Sequence, residues 1–167
     1  MKLDMCAPCL FGLEGPLSGE LKRMGMEQVH AENGRVRFSG TQWDLAKANI
    51  RLRFGERVLI ELGTFPAESF DMLFEGVRAL PWEEFIPGNG AFPVKGHCLD
   101  SRLESVPSCQ KIIKKAVVSR MSQHYGIEWF REDGETYQIQ ESVSHIALKL
   151  MNVIGEMEKY LEECEAG

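Results

Sequence analysis

Apolar residues in the first third of the chain switch between the period of two typical of strands and the period of about 3.6 typical of helices. A short strand is predicted at residues 2–6. Alternation from Val29 to Phe38 predicts a hairpin around Asn33-Gly34, a pair that accepts positive φ at both central positions of a type I′ turn. Between these strands, four residues at helical spacing predict a helix that Gly25 ends: Leu13, Leu17, Leu21 and Met24.

A second helix and a fourth strand complete the first part of the chain. Thr41 is placed to cap a helix, and Leu45, Ala48 and Leu52 are predicted to face inward from it. A strand follows, in which the alternating residues are Val58, Ile60 and Leu62. The order strand, helix, strand, strand, helix, strand is a split βαβ, or ferredoxin-like, unit.

Past Gly63 the pattern changes, which predicts a domain boundary after residue 64. Pro81 stops an apolar helical stripe formed by Phe70, Leu73, Phe74 and Val77. Residues 82–91 are predicted to be a loop and residues 92–98 a strand.

The next helix is the most informative one. Ser108 is the predicted N-cap, Gly126 marks the end, and the predicted buried stripe is Cys109, Ile112, Ile113, Ala116, Val117 and Met121. Tyr137 and Ile139 suggest a further strand.

The last segment fits two patterns. From Val143 to Leu161 the apolar spacing favours an amphipathic helix, although the alternation from His145 to Asn152 leaves a strand open as an alternative. The predicted organisation is therefore residues 1–64, residues 65–142, and a helical segment at residues 143–167.

Charge is segregated along the chain, although the formal net charge is −6. Residues 35–57 hold six basic and two acidic residues, a net charge of +4, and residues 92–125 hold the same numbers. Residues 126–167 hold ten acidic and three basic residues, a net charge of −7. A basic face on an acidic molecule is the interpretation that would suit a nucleic acid, and a solvated mixture of charges is the alternative.

Three lysines concentrate the second basic block on one helix. Because residues three and four apart share a helix face, Lys111, Lys114 and Lys115 are predicted to project together and to gain from neutralisation by phosphates. The first turn of the helix adds free backbone N–H groups and the positive end of the dipole. A basic loop is predicted to meet the same face; its residues are Lys95, His97, Ser101, Arg102 and Ser105.

Other candidate chemistry is weaker. Cys6 and Cys9 lie between a strand and a helix, as in thioredoxin-type redox pairs, although buried structural cysteine is the commoner case. The three tryptophans, Trp43, Trp82 and Trp129, could stack on bases but are more often core residues. No metal site and no catalytic residue is predicted. Five cysteines and the absence of an export signal or a 20-residue apolar run predict a cytoplasmic protein without a membrane partner.

Five segments together resemble one family: CLFGLE (9–14), ENGRVRFSG (32–40), FEGVRALPWEEFIP (74–87), FPVKGHCLDSRLESVPSCQKIIKKA (92–116) and YGIEW (125–129). They are similar to the THUMP-containing bacterial RNA methyltransferases that modify guanine N2 in large-subunit ribosomal RNA, also labelled N6-adenine-specific DNA methylases. The resemblance covers residues 1 to about 140.

The resemblance implies an α/β protein with a ferredoxin-like domain followed by a THUMP domain that grips structured RNA. It implies an RNA-contacting set of Lys95, Gly96, His97, Ser101, Gln110, Lys111, Lys114 and Lys115, to which the basic loop adds Arg102 and Ser105. Such enzymes bind S-adenosylmethionine in a further, catalytic domain. Because no asparagine precedes a proline here, the Asn-Pro-Pro-Tyr-like motif is absent, and we expect neither cofactor nor catalysis from this chain itself.

Three functions are therefore weighed. The first is an RNA-binding module, with large-subunit ribosomal RNA as the expected partner. The second is a thiol redox protein using Cys6 and Cys9. The third is an interaction subunit that docks through the segment 143–163 onto a separately encoded methyltransferase or onto a second copy of itself.

Overall fold

The computed structural model describes residues 2–65, 67–97, 106–142 and 145–150, with the backbone alone at 96–97 and 141–150. The described residues form two compact units, which divide between Glu61 and Leu62. They are called here the first unit and the second unit. No helix among the described residues is long and apolar enough to cross a bilayer.

The first unit has the predicted order of elements. They are β1 (Leu3–Pro8), α1 (Glu14–Arg23), β2 (Glu27–Glu32), β3 (Arg35–Gly40), α2 (Gln42–Arg51) and β4 (Leu59–Thr64), which begins in this unit. β1 lies antiparallel between β3 and β4, and β2 pairs antiparallel with β3, giving the strand order β2-β3-β1-β4. The prediction of a split βαβ unit is confirmed.

The core of the first unit forms because the strands and helices present their apolar stripes to one another. Thr41 caps α2 as predicted, and Asp44 completes a capping box by accepting the Thr41 N–H at 2.8 Å. The core residues that are fully inaccessible to solvent are Met5, Ala7, Leu17, Leu21, Val36 and Ala48.

Two local predictions for the first unit are wrong. Gly34 has a φ of 73°, but Asn33 does not have a positive φ, so the turn is not of type I′. Tertiary contacts fix Gly34: its N–H donates to the Glu14 carboxylate at 2.9 Å, and its carbonyl accepts the Cys9 N–H at 2.9 Å. The fourth strand does not simply alternate either, because Val58 lies before it and is buried together with Leu59 and Ile60.

The second unit has a mixed sheet and two main helices. Its elements after β4 are α3 (Phe70–Arg78), a short 3-10 helix (Trp82–Glu84), β5 (Val94–His97), α4 (Val106–Tyr125), β6 (Tyr137–Ser142) and β7 (His145–Leu150). β6 pairs parallel with β5 and antiparallel with β7. The core lies between α3, α4 and the sheet, and it contains Leu73, Val77, Trp82, Ile86, Phe92, Cys109, Ile113, Ala116, Val117, Met121 and Ile139.

Element boundaries differ from the predicted ones at three places. α4 begins at Val106, so Ser108 lies within its first turn and is not the N-cap; Pro107 fits there because its missing N–H would have no helical partner. The strand predicted at 92–98 starts two residues later, at Val94, and is described as far as His97; Cys98 lies outside the described residues. The predicted loop 82–91 starts with a 3-10 helix, whose Trp82 is fully buried and donates its indole N–H to the Val77 carbonyl at 2.7 Å.

The helix predicted from Val143 is wrong for residues 145–150. They form β7, which runs antiparallel along β6 from Ser142↔His145 to Tyr137↔Leu150. The alternative that rested on alternation is the correct one here, because β6 offers backbone partners that a helix would leave unused. The rest of the predicted segment, at 143–144 and 151–167, lies outside the described residues.

Candidate nucleic-acid interface

The N-terminal half of α4 carries two exposed lysines on one face. Lys111 and Lys115 are four residues apart and both exposed, whereas Ile113 and Val117 are fully buried in the core. Lys95 on β5, a strand that packs against α4, is also exposed. Within the described part of this unit, three exposed lysines thus remain from the predicted concentration of positive charge.

Lys114 does not project with its neighbours, and the prediction of three parallel ammonium groups is wrong in this respect. Its ammonium lies 2.7 Å from Glu132 Oε1, 3.2 Å from the Phe92 carbonyl oxygen and 3.8 Å from the centre of the Phe92 ring. The carboxylate, the carbonyl and the ring face together draw the half-buried side chain away from solvent. Lys114 therefore ties α4 to the chain around residues 92 and 132.

Ion pairing distinguishes these three lysines from the other described basic side chains of the second unit. Lys95, Lys111 and Lys115 have no carboxylate of a described residue within 4.0 Å. The other basic side chains described in this unit are paired; the pairs are Arg78 with Glu75, Lys114 with Glu132, Arg120 with Glu83 and Arg131 with Asp133. Among the described residues, no carboxylate therefore neutralises these three lysines, which are called here the unpaired lysines.

The other basic block, residues 35–57, is largely neutralised within the first unit. Glu61 is nearly buried, with 7% of its side chain exposed, and it accepts two bonds from Arg37, at 2.9 Å from Nε and 2.6 Å from Nη2. The remaining pairs are Arg37 with Glu32, Arg35 with Glu32, Arg53 with Glu20 and Arg57 with Glu56. Equal charge sums in the sequence thus correspond to different surfaces.

The other predicted contact residues divide into described and undescribed ones. Gln110 is half-buried in the first part of α4. The backbone of Gly96 and His97 pairs with Glu141 and Ser142 of β6. The side chain of His97 and the whole of Ser101, Arg102 and Ser105 lie outside the described residues, so their RNA contacts stay predictions.

The cysteine pair lacks the environment of a redox site. Cys6 lies within β1, Cys9 is buried, and α1 begins only at Glu14. Neither thiol therefore lies at a helix N-terminus, which is the position that the redox hypothesis requires. Burial, with a further contribution from the Glu61 carboxylate, raises the pKa of Cys6 to about 12. Burial and the Glu14 carboxylate also raise the pKa of Cys9. Both changes oppose the thiolate that redox exchange requires.

Two tryptophans are more exposed than expected for core residues. Trp82 is buried, but Trp43 is 49% exposed and Trp129 is 81% exposed. The sequence showed only that residue 129 is a tryptophan. It did not show that the side chain is exposed, because the exposure depends on the loop that follows α4. No cluster of three or more potential metal ligands occurs among the residues that the structure describes.

Two family models match the chain. A model of the RlmL ferredoxin-like domain matches residues 4–59. A model of the THUMP domain matches residues 67–145, which include the exposed lysines.

Several known proteins are similar to this chain over most of its length. "Putative RNA methyltransferase YpsC" of Bacillus subtilis (strain 168) is 37% identical over 144 residues, which are 85% of this chain and 37% of that protein. "Ribosomal RNA large subunit methyltransferase K/L" of Pseudomonas putida (strain GB-1) is 25% identical over 126 residues, which are 75% of this chain and 17% of that protein.

One solved structure has a closely similar fold. The "predicted N6-adenine-specific DNA methylase" from Listeria monocytogenes str. 4b F2365 superimposes with a TM-score of 0.84 and 38% sequence identity. The match covers 90% of this chain and 40% of that chain. The chain thus spans less than half the length of each of these relatives.

Proposed function

The chain carries an RlmL ferredoxin-like domain followed by a THUMP domain, and on this basis we propose that it binds structured RNA for a methyltransferase reaction. The second unit, through Lys95, Lys111 and Lys115, contacts the phosphates of the RNA. Phosphate contacts hold and orient a nucleic acid without reading its sequence. The unit therefore binds the RNA and positions it for a catalytic domain.

The observation that carries this proposal is the contrast in ion pairing within the second unit. Lysines without a carboxylate partner can neutralise phosphates and so release the counterions condensed on the RNA, whereas basic side chains already paired with carboxylates do so less. Lys111 and Lys115 also lie in the first half of α4, whose N-terminal end carries a positive partial charge. Both effects attract a polyanion to the same region.

The proposed RNA is large-subunit ribosomal RNA, because the relatives named K/L act on it. The proposed reaction is methyl transfer from S-adenosylmethionine, supplied by a catalytic domain. The sequence has no Gly-x-Gly-x-x-Gly turn between a strand and a helix, which supports placing the cofactor in that separate domain. We assign to this chain only the binding and positioning of the RNA.

The test is the salt dependence of RNA binding. Binding of a structured fragment of large-subunit ribosomal RNA is measured by fluorescence anisotropy at several salt concentrations, for the wild type and for the double variant K111Q/K115Q. Removal of two phosphate contacts should reduce the slope of log K against log salt by about 1.4 to 1.8. An unchanged slope contradicts the proposal.

A matched control is available in the first unit. Lys22 and Arg23 are exposed in the last turn of α1, so K22Q/R23Q removes the same charge from the chain at another surface. We expect this control to leave the slope within about 0.3 of the wild-type value if binding depends on contacts rather than on net charge. An equal change in both double variants would indicate a non-specific effect.

A further inference from the structure

Trp129 is the most exposed tryptophan among the described residues. Its exposed fraction is 81%, whereas the other tryptophan of the second unit, Trp82, is fully buried and hydrogen-bonded. An indole has a large apolar surface that stabilises a protein when it is buried. Because Trp129 contributes little to the core, its exposed ring is free to bind an external partner.

The loop that carries Trp129, residues 126–136, is anchored on both sides of the indole. On one side, α4 ends at Tyr125, and the next residue, Gly126, has a φ of 66° and donates its N–H to the Ser122 carbonyl at 2.9 Å. On the other side, the Phe130 ring packs edge-on against Phe92, with ring centres 5.8 Å apart and an interplanar angle of 80°.

Further contacts hold the rest of this loop. Glu132 binds Lys114 even though its φ of 50° is uncommon for a residue with a side chain. Gly134 donates its N–H to the Asn89 carbonyl at 2.9 Å, and a Cβ at Gly134 would lie only 2.8 Å from the same oxygen. These contacts anchor the loop before and after Trp129, whose indole is exposed to solvent.

The chain links Trp129 to the part of α4 that carries the exposed lysines. Glu132 is three positions after Trp129, so their Cα atoms are at most about 11 Å apart. Glu132 in turn contacts Lys114, which Lys111 and Lys115 flank on α4. An aromatic face near unpaired cations is the combination that binds single-stranded nucleic acid, because the bases stack while the phosphates are neutralised.

We infer that Trp129 is a stacking platform for an unpaired base of the bound RNA. The inference rests on the proposed function and adds the kind of RNA that is bound. This RNA has an unpaired base close to a base-paired region whose phosphates contact the lysines. Unpaired bases in loops and bulges are the parts of RNA that side chains can reach and stack on.

The experiment compares two RNAs with the same number of phosphates, a hairpin with an unpaired loop and a fully paired duplex. Trp129→Leu keeps an apolar side chain but removes the aromatic face, so the affinity for the hairpin should fall about 5- to 140-fold, the loss expected for one stacked base. The affinity for the duplex should change less than about twofold, and Trp129→Phe should restore most of the hairpin affinity. Trp43→Leu, at an exposed indole of the first unit, is the matched control and should not change either affinity.

A second readout separates stacking from a structural role. In a Trp43→Phe chain, the emission of exposed Trp129 should be quenched by the hairpin but not by the duplex, while Trp82 stays shielded in the core. Equal hairpin affinity for the wild type and Trp129→Leu, or no quenching, overturns the inference. If that result occurs while K111Q/K115Q still reduces the salt slope of RNA binding, only the stacking role of Trp129 is wrong. If K111Q/K115Q does not change the salt slope, the proposed function is wrong.

Discussion

Lys114 and Lys115 are neighbours in the chain but have different environments. Lys115 is exposed, whereas the Lys114 ammonium is held by the Glu132 carboxylate, the Phe92 carbonyl and the Phe92 ring. The difference arises because consecutive residues on a helix point about 100° apart, and only one of the two meets the neighbouring loop. We therefore expect Lys114 to stabilise the fold rather than to contact RNA.

Substitution of Lys114 tests that division of roles. Lys114→Met keeps much of the side chain's apolar length but removes the ion pair and the contact with the Phe92 ring, so we expect the free energy of unfolding to fall by roughly 1–2 kcal/mol. Urea denaturation measures this loss. The salt slope of RNA binding should stay at the wild-type value; a slope reduced by about 0.7 to 0.9 with unchanged stability would instead make Lys114 a phosphate contact.

The thiols of Cys6 and Cys9 should be inert in the folded protein. Because burial raises their pKa values, that of Cys6 to about 12, almost no thiolate forms at pH 8. Alkylation with N-ethylmaleimide followed by peptide mass spectrometry should leave both unmodified in the native state and modify all five cysteines in urea. Rapid alkylation of either residue in the native state would support the redox hypothesis.

The raised pKa of Cys6 also links stability to alkaline pH. Its contribution to the free energy of unfolding is complete below pH 9.0 and is lost as the pH rises toward 12.

At the scale of elements, α4 joins the parts of the second unit. Its buried face supplies Cys109, Ile113, Ala116, Val117 and Met121 to the core. Toward its C-terminal end, Arg120 forms an ion pair with Glu83 of the 3-10 helix, and the Tyr125 hydroxyl donates to the Ile86 carbonyl at 3.0 Å. The helix thus supports both the exposed lysines and the residues that follow the 3-10 helix.

The ion pair between the two helices should make stability depend on acid pH. The hydrogen bond from Arg120 lowers the pKa of Glu83 from its ordinary value of 4.5. Since the folded-state pKa is the lower one, the contribution is complete above pH 4.5 and is lost as the pH falls through the folded value.

Two neighbouring glutamates allow a controlled comparison. At pH 7, Glu83→Gln should lower the free energy of unfolding by roughly 1–2 kcal/mol, and the deficit should shrink at pH 3. Glu84 is exposed, so Glu84→Gln is the matched control and should change stability by less than about 0.5 kcal/mol at either pH. Thermal or urea unfolding at both pH values measures these differences. If the loss of stability in Glu83→Gln is the same at both pH values, the ionised Glu83 carboxylate is not the source of the pH dependence.

At the scale of the whole molecule, a net charge of −6 coexists with three exposed lysines of the second unit that have no partner among the described carboxylates. The net charge alone would argue against a nucleic-acid partner, but only local charge determines whether a phosphate is neutralised. The family resemblance drawn from five sequence segments is confirmed by the two domain models. The docking hypothesis for segment 143–163 stays a prediction, except that residues 145–150 form a strand rather than part of a helix.

The sequence by itself determined the identity and order of most elements, because apolar periodicity, Thr41 as a cap and Gly25 as a helix end are local signals. It also determined which segments carry positive charge. Only the tertiary structure decided which of those charges are free, because the partners of Arg37, Lys114 and Arg120 lie 24, 18 and 37 residues away in the chain. The same holds for β7, which is a strand because β6 lies beside it, and for Trp129, which is exposed because distant contacts anchor its loop.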